Sequence, residues 1–318
     1  MIKPVPPRRR TPTTPGVRFG ATMAVGLAVL AFAAGCGSAT SGASSGSAST
    51  TSTNSAAPVA VPADLRGKTL TVAVTVFSPF ELYDADNKLA GADIDLYQAL
   101  STVLGVTLQP TVVDFDGIVP GIQSGRYQAA SPLGDFVERQ QVLDLVDYAT
   151  GSSSLLVSGR SSYRPQDVSD LCGHSIGIEK GSAEVGVTGT LNTRCAAAGK
   201  RPIDMHLYPN VSAANLAVQS QRVDGVLTDS APNGYTAKQS DGQFVNATLT
   251  GGSDIAGWGA TFGIALAKNS PLTKPIEQAL KELIASGTYG QIYRKWGISS
   301  NEIPAAKVTI DGSTAHQG

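Results

Sequence analysis

From about residue 64 to about residue 304, hydrophobic positions switch repeatedly between a period of two and a period near 3.6. Thr69 to Val76 alternates β-branched residues with others and predicts a strand. Asp93 to Leu104 sets Ile94, Leu96, Tyr97, Leu100, Val103 and Leu104 at helical spacing and meets Gly105 just past its end, which predicts a helix and its stop. Val106 to Val113, Gly117 to Gln123 and Gln128 to Ser131 predict a strand, a short helix and a further strand. The rhythm restarts with a strand at Ser175 to Ile178, a helix at Ser182 to Ala198, a strand at Ile203 to Leu207, a helix at Ala213 to Ser220 and a strand at Gly225 to Leu227. It closes on a strand at Thr261 to Ala267 and a helix whose Ile276, Leu280, Leu283 and Ile284 share one face. After Gly287, the apolar face of Tyr289, Ile292, Tyr293 and Trp296 reads as core packing rather than a binding surface. Alternating strands and helices build mainly parallel sheets covered by helices, and two such runs predict an α/β chain of two lobes.

The N-terminal stretch follows another pattern. Cys36 closes a short apolar run, Met23 to Gly35, behind a basic, acid-free start that carries Arg8, Arg9, Arg10 and Arg18. With Ala33, Ala34 and Gly35 before the cysteine, this predicts an export signal over 1–35 and a lipid-attached Cys36, hence an extracytoplasmic protein anchored to the cell membrane. A membrane-spanning helix is one alternative, although the run falls short of the ~20 residues a span needs. A plain secretory signal is another, because Ala33 stands where lipoprotein signals usually carry a larger aliphatic residue. The arginines are followed by Thr11 and Pro12 and make only a weak twin-arginine pattern, so the export route stays open. Gly37 to Ala57 is almost entirely Ser, Thr, Ala and Gly, with too little apolar surface to offset the entropy of ordering. Residues 36–63 are therefore expected to be an anchor and disordered tether. The polar residues 305–318 are expected to fray.

Charge and cysteines narrow the partners. Lys and Arg number 24 against 25 Asp and Glu, scattered along the chain, so no basic stripe suits nucleic acid. Of the three cysteines, Cys172 and Cys195 remain as an even pair if Cys36 is acylated. In an oxidising compartment a disulfide is the natural reading, worth roughly 3 kcal/mol in the chain-entropy model; two reduced buried thiols are the other. His174, His206 and His316 lie far apart without ligand spacing, so neither a metal nor another cofactor is expected.

In open parallel sheets, ligands sit outside the carboxyl ends of the strands. The predicted strands are followed by Phe77 to Phe80, Asp114 to Gly117, Pro132 to Arg139, Glu179 to Ala183, and Thr228 with Asp229. Aromatics, one arginine, an aspartate and glycine-containing turns thus converge on one cleft, an inventory for a small zwitterion rather than a phosphate or a polymer.

At these residues the chain resembles the bacterial extracellular solute-binding proteins of family 3, the amino-acid receptors of ABC importers. The resemblance runs through Ser78-Pro-Phe-Glu81 with Gly91-Ala-Asp-Ile-Asp-Leu96, and Val113-Asp-Phe-Asp-Gly-Ile-Val-Pro120 with Gln123-Ser-Gly125. It continues through Val137-Glu-Arg139 with Val142 to Tyr148, and Ser286-Gly-Thr-Tyr289 with Ile292-Tyr-Arg-Lys-Trp296, all in the family's order. It implies a two-lobed, type II periplasmic-binding-protein-like fold with two hinge crossovers. Lobe 1 is then expected at 64–153 plus 250–304 and lobe 2 at 154–249, with Cys172 and Cys195 inside lobe 2.

The resemblance also implies residue roles. Arg139 matches the arginine that grips the ligand carboxylate, a task suited to a planar guanidinium that stays charged. Asp229 matches the carboxylate that receives the α-ammonium, and is also well placed to cap a helix beginning at Ser230. Phe77 and Phe115 match aromatics around the ligand side chain, with core packing as their other reading. Ser182 matches a donor position at a helix start, where simple capping explains it as well. Gly134 departs from the Thr or Ser common there, with Pro132 just before it: a backbone N–H survives and the hydroxyl is lost. Glu179 is the candidate selector for a polar or cationic side chain.

The expected protein is a monomeric, non-enzymatic receptor that delivers an amino acid or related small polar solute to a membrane permease driven by a cytoplasmic ATPase. An enzyme on the same scaffold, of the cyclohexadienyl dehydratase kind, is an alternative that would use Glu179 or Asp135 as acid or base. A sensor or partner-binding lipoprotein is a third.

Overall fold

Residues 59–317 are described by a computed structural model of the chain. The export signal, Cys36 and most of the expected tether lie outside the described residues. Where the tether was expected to continue, Val61 is instead buried, its apolar side chain joining the first core.

The first lobe opens with strand β1 (Thr69–Val74), a small hairpin of β2 (Leu82–Tyr83) and β3 (Leu89–Ala90), and helix α1 (Ala92–Leu104). Gly105 ends α1 in the left-handed conformation, a stop that glycine adopts without steric penalty. Strand β4 (Thr107–Val112), helix α2 (Ile118–Gln123), strand β5 (Ala129–Gly134) and the single turn α3 (Val137–Gln140) follow. β1 pairs in parallel with both β4 and β5.

The next strand, β6 (Leu143–Ser158), runs unbroken for 16 residues and belongs to both lobes. In the second lobe come β7 (Ser175–Glu179), α4 (Glu184–Ala197), β8 (Asp204–Tyr208), α5 (Val211–Gln219), β9 (Gly225–Asp229), α6 (Ser230–Gln239) and β10 (Phe244–Ala247). The chain then returns through β11 (Gly259–Ala267) to helices α7 (Thr273–Ala285) and α8 (Thr288–Trp296) of the first lobe. The strand order is β4-β1-β5-β11-β6-β9-β7-β8, with β10 on β6. Leu143 to Ser152 of β6 pair with β11, whereas Ser153 to Val157 pair with β9. This strand is thus one of the crossings between lobes, and its pairing changes partner at Ser153.

The cores follow the periodicity. Leu96, Leu100, Ile276, Leu280, Leu283, Tyr289 and Tyr293 are buried together on one face of the first sheet, while Trp296 stays half-buried and donates its Nε1–H to Asp95 (2.7 Å). Ile118, Ile122, Leu133, Leu143 and Leu145 cover the other face. In the second lobe Leu155, Ile176, Ile178, Leu191 and Leu227 form the center of the core. The returning segment belongs to it further than the expected boundary at 250, since Ile255 and Trp258 are buried there and first-lobe pairing resumes at Gly259. Cys172 and Cys195 are joined in a disulfide, with Cα atoms 5.7 Å apart, wholly within the second lobe.

Residues 305–317 correct a further expectation, for they are docked rather than frayed. Asp147 N donates to the Thr309 carbonyl (2.9 Å), Asp311 N to the Leu145 carbonyl (2.8 Å), and Val308 is fully buried. The cause is the outer edge of β6, which has no neighbouring strand in the first lobe and offers unpaired backbone groups that this segment satisfies. Among the described residues, no helix is long and apolar enough to cross a membrane.

Candidate functional site

Between the lobes lies a cavity of about 60 Å³. Phe77, Phe115, Gly134 and Arg139 line it from the first lobe, and Glu179, Ser182 and Asp229 from the second. The strand-end rule accounts for most of this: Glu179 ends β7, Asp229 ends β9 and Gly134 ends β5. β5 runs further than predicted, so Pro132 and Gly134 stand in the strand rather than in a following loop.

Arg139 is the dominant group. It projects from α3 and is only 7 % exposed. Its Nη1–H donates to the Gly134 carbonyl (3.0 Å), and its guanidinium lies over the rings of Phe136 (5.1 Å) and Phe115 (5.7 Å). No ion-pair partner sits within reach of it among the described residues. Burial lowers its pKa to about 10, against the pull of Glu184, Glu138 and Asp135, which favour the charged form. A buried cation with most of its five donors unengaged is an anion receptor in waiting.

The opposite wall is acidic. Glu179 is 4 % exposed, and its Oε1 has no hydrogen-bond partner. Burial, aided by Glu184, Asp114 and Asp116, raises its pKa to about 8. Asp229 caps α6, its Oδ1 accepting from Ala231 N (2.9 Å), and it also lines the cavity, where burial raises its pKa to about 7. Gly151 of β6 makes room for it, because a Cβ there would collide with the Asp229 carboxylate. Ser182 is buried beside Glu184, whose Oε1 accepts from Ser153 Oγ (3.2 Å) and whose pKa is also raised by burial. Lys180 of the second lobe, next to Glu179, pairs with Asp116 of the first (2.7 Å).

Aromatic rings close the remaining sides. Phe77 stacks on Phe80 at 5.9 Å and meets Phe262 edge-on at 6.2 Å. Phe136, Glu184, Trp258 and Phe262 also line the cavity and were not foreseen. Glu184 reads as an ordinary first-turn helix acid, and Phe262 lies inside an antiparallel strand that no strand-end rule singles out. Trp258 was detectable only as an aromatic immediately before the β11 start. Asp135, weighed as an acid or base, does not line the cavity. Its carboxylate accepts from Gln140 Nε2 (2.8 Å) and Ser313 N (2.9 Å).

Glycine at position 134 has a steric basis: the Phe136 ring fills the space where a side chain on residue 134 would begin. The cavity therefore offers one guanidinium against the carboxyls of Glu179, Glu184 and Asp229 inside aromatic walls. That arrangement suits a small solute carrying one carboxylate and more than one cationic group. No group of three or more His, Cys, Asp or Glu side chains among the described residues could hold a metal ion.

A family model for bacterial extracellular solute-binding proteins, family 3, matches residues 70–299. The chain is 29 % identical over 246 residues to the arginine-binding protein ArgT of Corynebacterium glutamicum, covering 76 % of this chain and 78 % of that one. An ancestral arginine-binding protein bound to arginine is similar in structure, with a TM-score of 0.60 and 32 % identity over 73 % of this chain and 99 % of that one. So is an ancestral amino acid-binding protein that is a precursor of cyclohexadienyl dehydratase, with a TM-score of 0.59 and 26 % identity over 72 % of this chain and 95 % of that one. The expected two-lobed α/β fold, of the type II periplasmic-binding-protein kind, is the fold observed.

Proposed function

The chain belongs to the bacterial extracellular solute-binding proteins, family 3, and from that premise we propose that it is the extracytoplasmic receptor of an ABC importer for a cationic amino acid of the arginine type. The observation that carries the reading is the pairing of a buried, under-engaged Arg139 with a wall of carboxyls across the cleft. In this reading the Arg139 fork holds the α-carboxylate and Asp229 the α-ammonium. Glu179, with Glu184 behind it, takes the side-chain cation, and Phe77 and Phe115 enclose the aliphatic stem. The arginine-binding relatives support the choice of cation.

The mechanism is differential binding. Arg139 belongs to the first lobe and Asp229 and Glu179 to the second, so a ligand meets all three only when the lobes are together and shifts the hinge equilibrium towards closure. The closed, loaded form then docks on the permease, and no bond is made or broken. An acylated Cys36 with the Ser/Thr/Ala/Gly run after it would hold the monomeric receptor at the membrane surface while leaving it free to sweep the space above.

A thermal-shift and calorimetric panel of amino acids tests this, since a ligand that binds only the folded state must raise the melting temperature. Arginine, lysine or ornithine should shift it, and acidic or apolar amino acids should not. A shift confined to neutral or acidic amino acids would remove the cationic assignment. In a dehydratase reading Glu179 would be the acid, since its pKa of about 8 suits proton transfer near neutrality. Turnover of a cyclohexadienyl acid that vanishes in Glu179→Gln would favour that reading over transport.

A further inference from the structure

Residues 300–317 lie beyond the part of the chain that the family model matches, yet their last portion contacts both the turn that carries Arg139 and the second lobe beside the cavity-lining Ser182. After pairing with β6, the segment turns along α3, the single turn that carries Arg139. Ser313 N donates to Asp135 Oδ2 (2.9 Å), and Val137 N donates to the Ala315 carbonyl (2.9 Å). Glu138 receives both His316 Nδ1–H (2.7 Å) and Gln317 N–H (3.0 Å). The backbone of α3 is thus held by residues 313–317, the part of the segment that follows the buried Val308.

The same segment then leaves the first lobe. Gln317 Nε2 reaches the Gly181 carbonyl in the second lobe (3.5 Å), next to the cavity-lining Ser182. The Gln317 carbonyl oxygen packs so closely on Gly257 that a Cβ there would come within 2.6 Å of it. A groove of the second lobe between Gly181 and Val185 is bounded on its other side by Glu138, His316 and Gln317. One short stretch therefore touches the Arg139 turn, the lobe opposite it and the returning crossover.

We propose that residues 313–317 form a strap that positions Arg139 from behind and ties the second lobe to the first, so that the cleft opens and exchanges ligand only when the strap lets go. Glu138, His316 and Gln317 are positioning residues in this scheme, acting on the ligand through Arg139 and through lobe separation. Only the consequence for ligand exchange rests on the receptor reading; the tie between lobes does not.

The test compares the full chain with a chain ending at Gly312, which keeps the Thr309 to Asp311 pairing on β6. Both carry Cys36→Ser and spin labels at Tyr83→Cys and Leu216→Cys, exposed positions on different lobes. Without ligand, the shortened chain should gain a longer label-to-label distance that the full chain lacks. Arginine should restore the short distance and leave the shortened chain about tenfold faster, the change that about 1.4 kcal/mol produces. His316→Ala with Gln317→Ala in the full-length chain should move both readings the same way, which guards against misfolding of the shortened form. Identical ligand-free distance distributions in all three proteins overturn the strap. Absence of arginine binding in every form would instead overturn the receptor reading, and the ligand-free distances would still decide the strap.

Discussion

The ring of Phe136 stands where a side chain on Gly134 would begin, and that same ring lies under the Arg139 guanidinium at 5.1 Å. The two positions are therefore coupled by size. Gly134→Thr should push the ring aside, disturb Arg139 and weaken arginine binding by ~1–3 kcal/mol, the usual penalty of overpacking. Adding Phe136→Ala should recover part of that loss, with a coupling energy of ~0.5–3 kcal/mol in a double-mutant cycle measured by calorimetry. Strictly additive effects would show that the ring and residue 134 do not share the space.

Arg139 makes opposite predictions for the empty and the loaded protein. A buried cation without an ion-pair partner costs stability, so Arg139→Met should leave the ligand-free melting temperature unchanged or raise it. The same variant should lose ~2–5 kcal/mol of arginine affinity, because the ligand carboxylate would be buried without its partner. Arg139→Lys should recover little of this, since an ammonium lacks the planar fork and the stacking on Phe115 and Phe136. A ligand-induced melting shift that survives in Arg139→Met removes the residue from the site.

The acids on the opposite wall set a pH dependence of defined sign. Burial raises the pKa of Glu179 to about 8 and that of Asp229 to about 7, so both are partly protonated near neutrality in the empty cleft. A cationic ligand needs both ionised. Affinity for arginine should therefore rise as pH goes from 6 to 8.5 and level off above it, with protons released on binding below that point. The slope should approach about tenfold per pH unit for each protonated group. Calorimetry in buffers of different ionisation enthalpy counts the released protons. A flat affinity across that interval would mean the acids do not face the cation.

How much of this was readable in the sequence depends on how local each signal is. β1, α1 and α7 carry their own periodicity, and α1 even carries its stop at Gly105, so they were placed within a few residues. β6 carries no single periodic signal in the sequence, since Gly151, Ser152, Ser153 and Ser154 interrupt its apolar positions. In the fold, that stretch is small because it passes between sheets and gives way to the Asp229 carboxylate. The strand-end rule found the cavity residues contributed by β5, β7 and β9, and passed over Phe262 and Trp258 because β11 enters from the opposite direction. The docking of residues 305–317 was invisible for a different reason. Its partners, Leu145, Asp147 and Asp135, lie more than 150 positions away, and its own composition is that of a free tail.

That docked segment covers a buried carboxyl, Asp147, whose titration should be measurable. Asp147 on β6 is 2 % exposed; its Oδ2 accepts from Thr309 Oγ1 (2.9 Å) and its Oδ1 has no partner. Burial, then the charge of neighbouring Asp135, and further that of Asp311, raise its pKa to about 8. The folded protein thus binds this proton more tightly than the unfolded chain, whose carboxyl titrates near 4. The stabilisation is complete below that value, declines as pH rises, and is gone above about 8. Asp147→Asn removes the titration while its amide can still accept from Thr309 and donate to Asp135. The variant should therefore melt at a higher temperature than the parent at pH 8, by at least about 1 kcal/mol of stability, given ~1.4 kcal/mol per pKa unit. The two curves should converge towards pH 4. Parallel curves over pH 4 to 8.5, whichever protein melts higher, would show that Asp147 is ionised throughout and that the segment over it tolerates the charge.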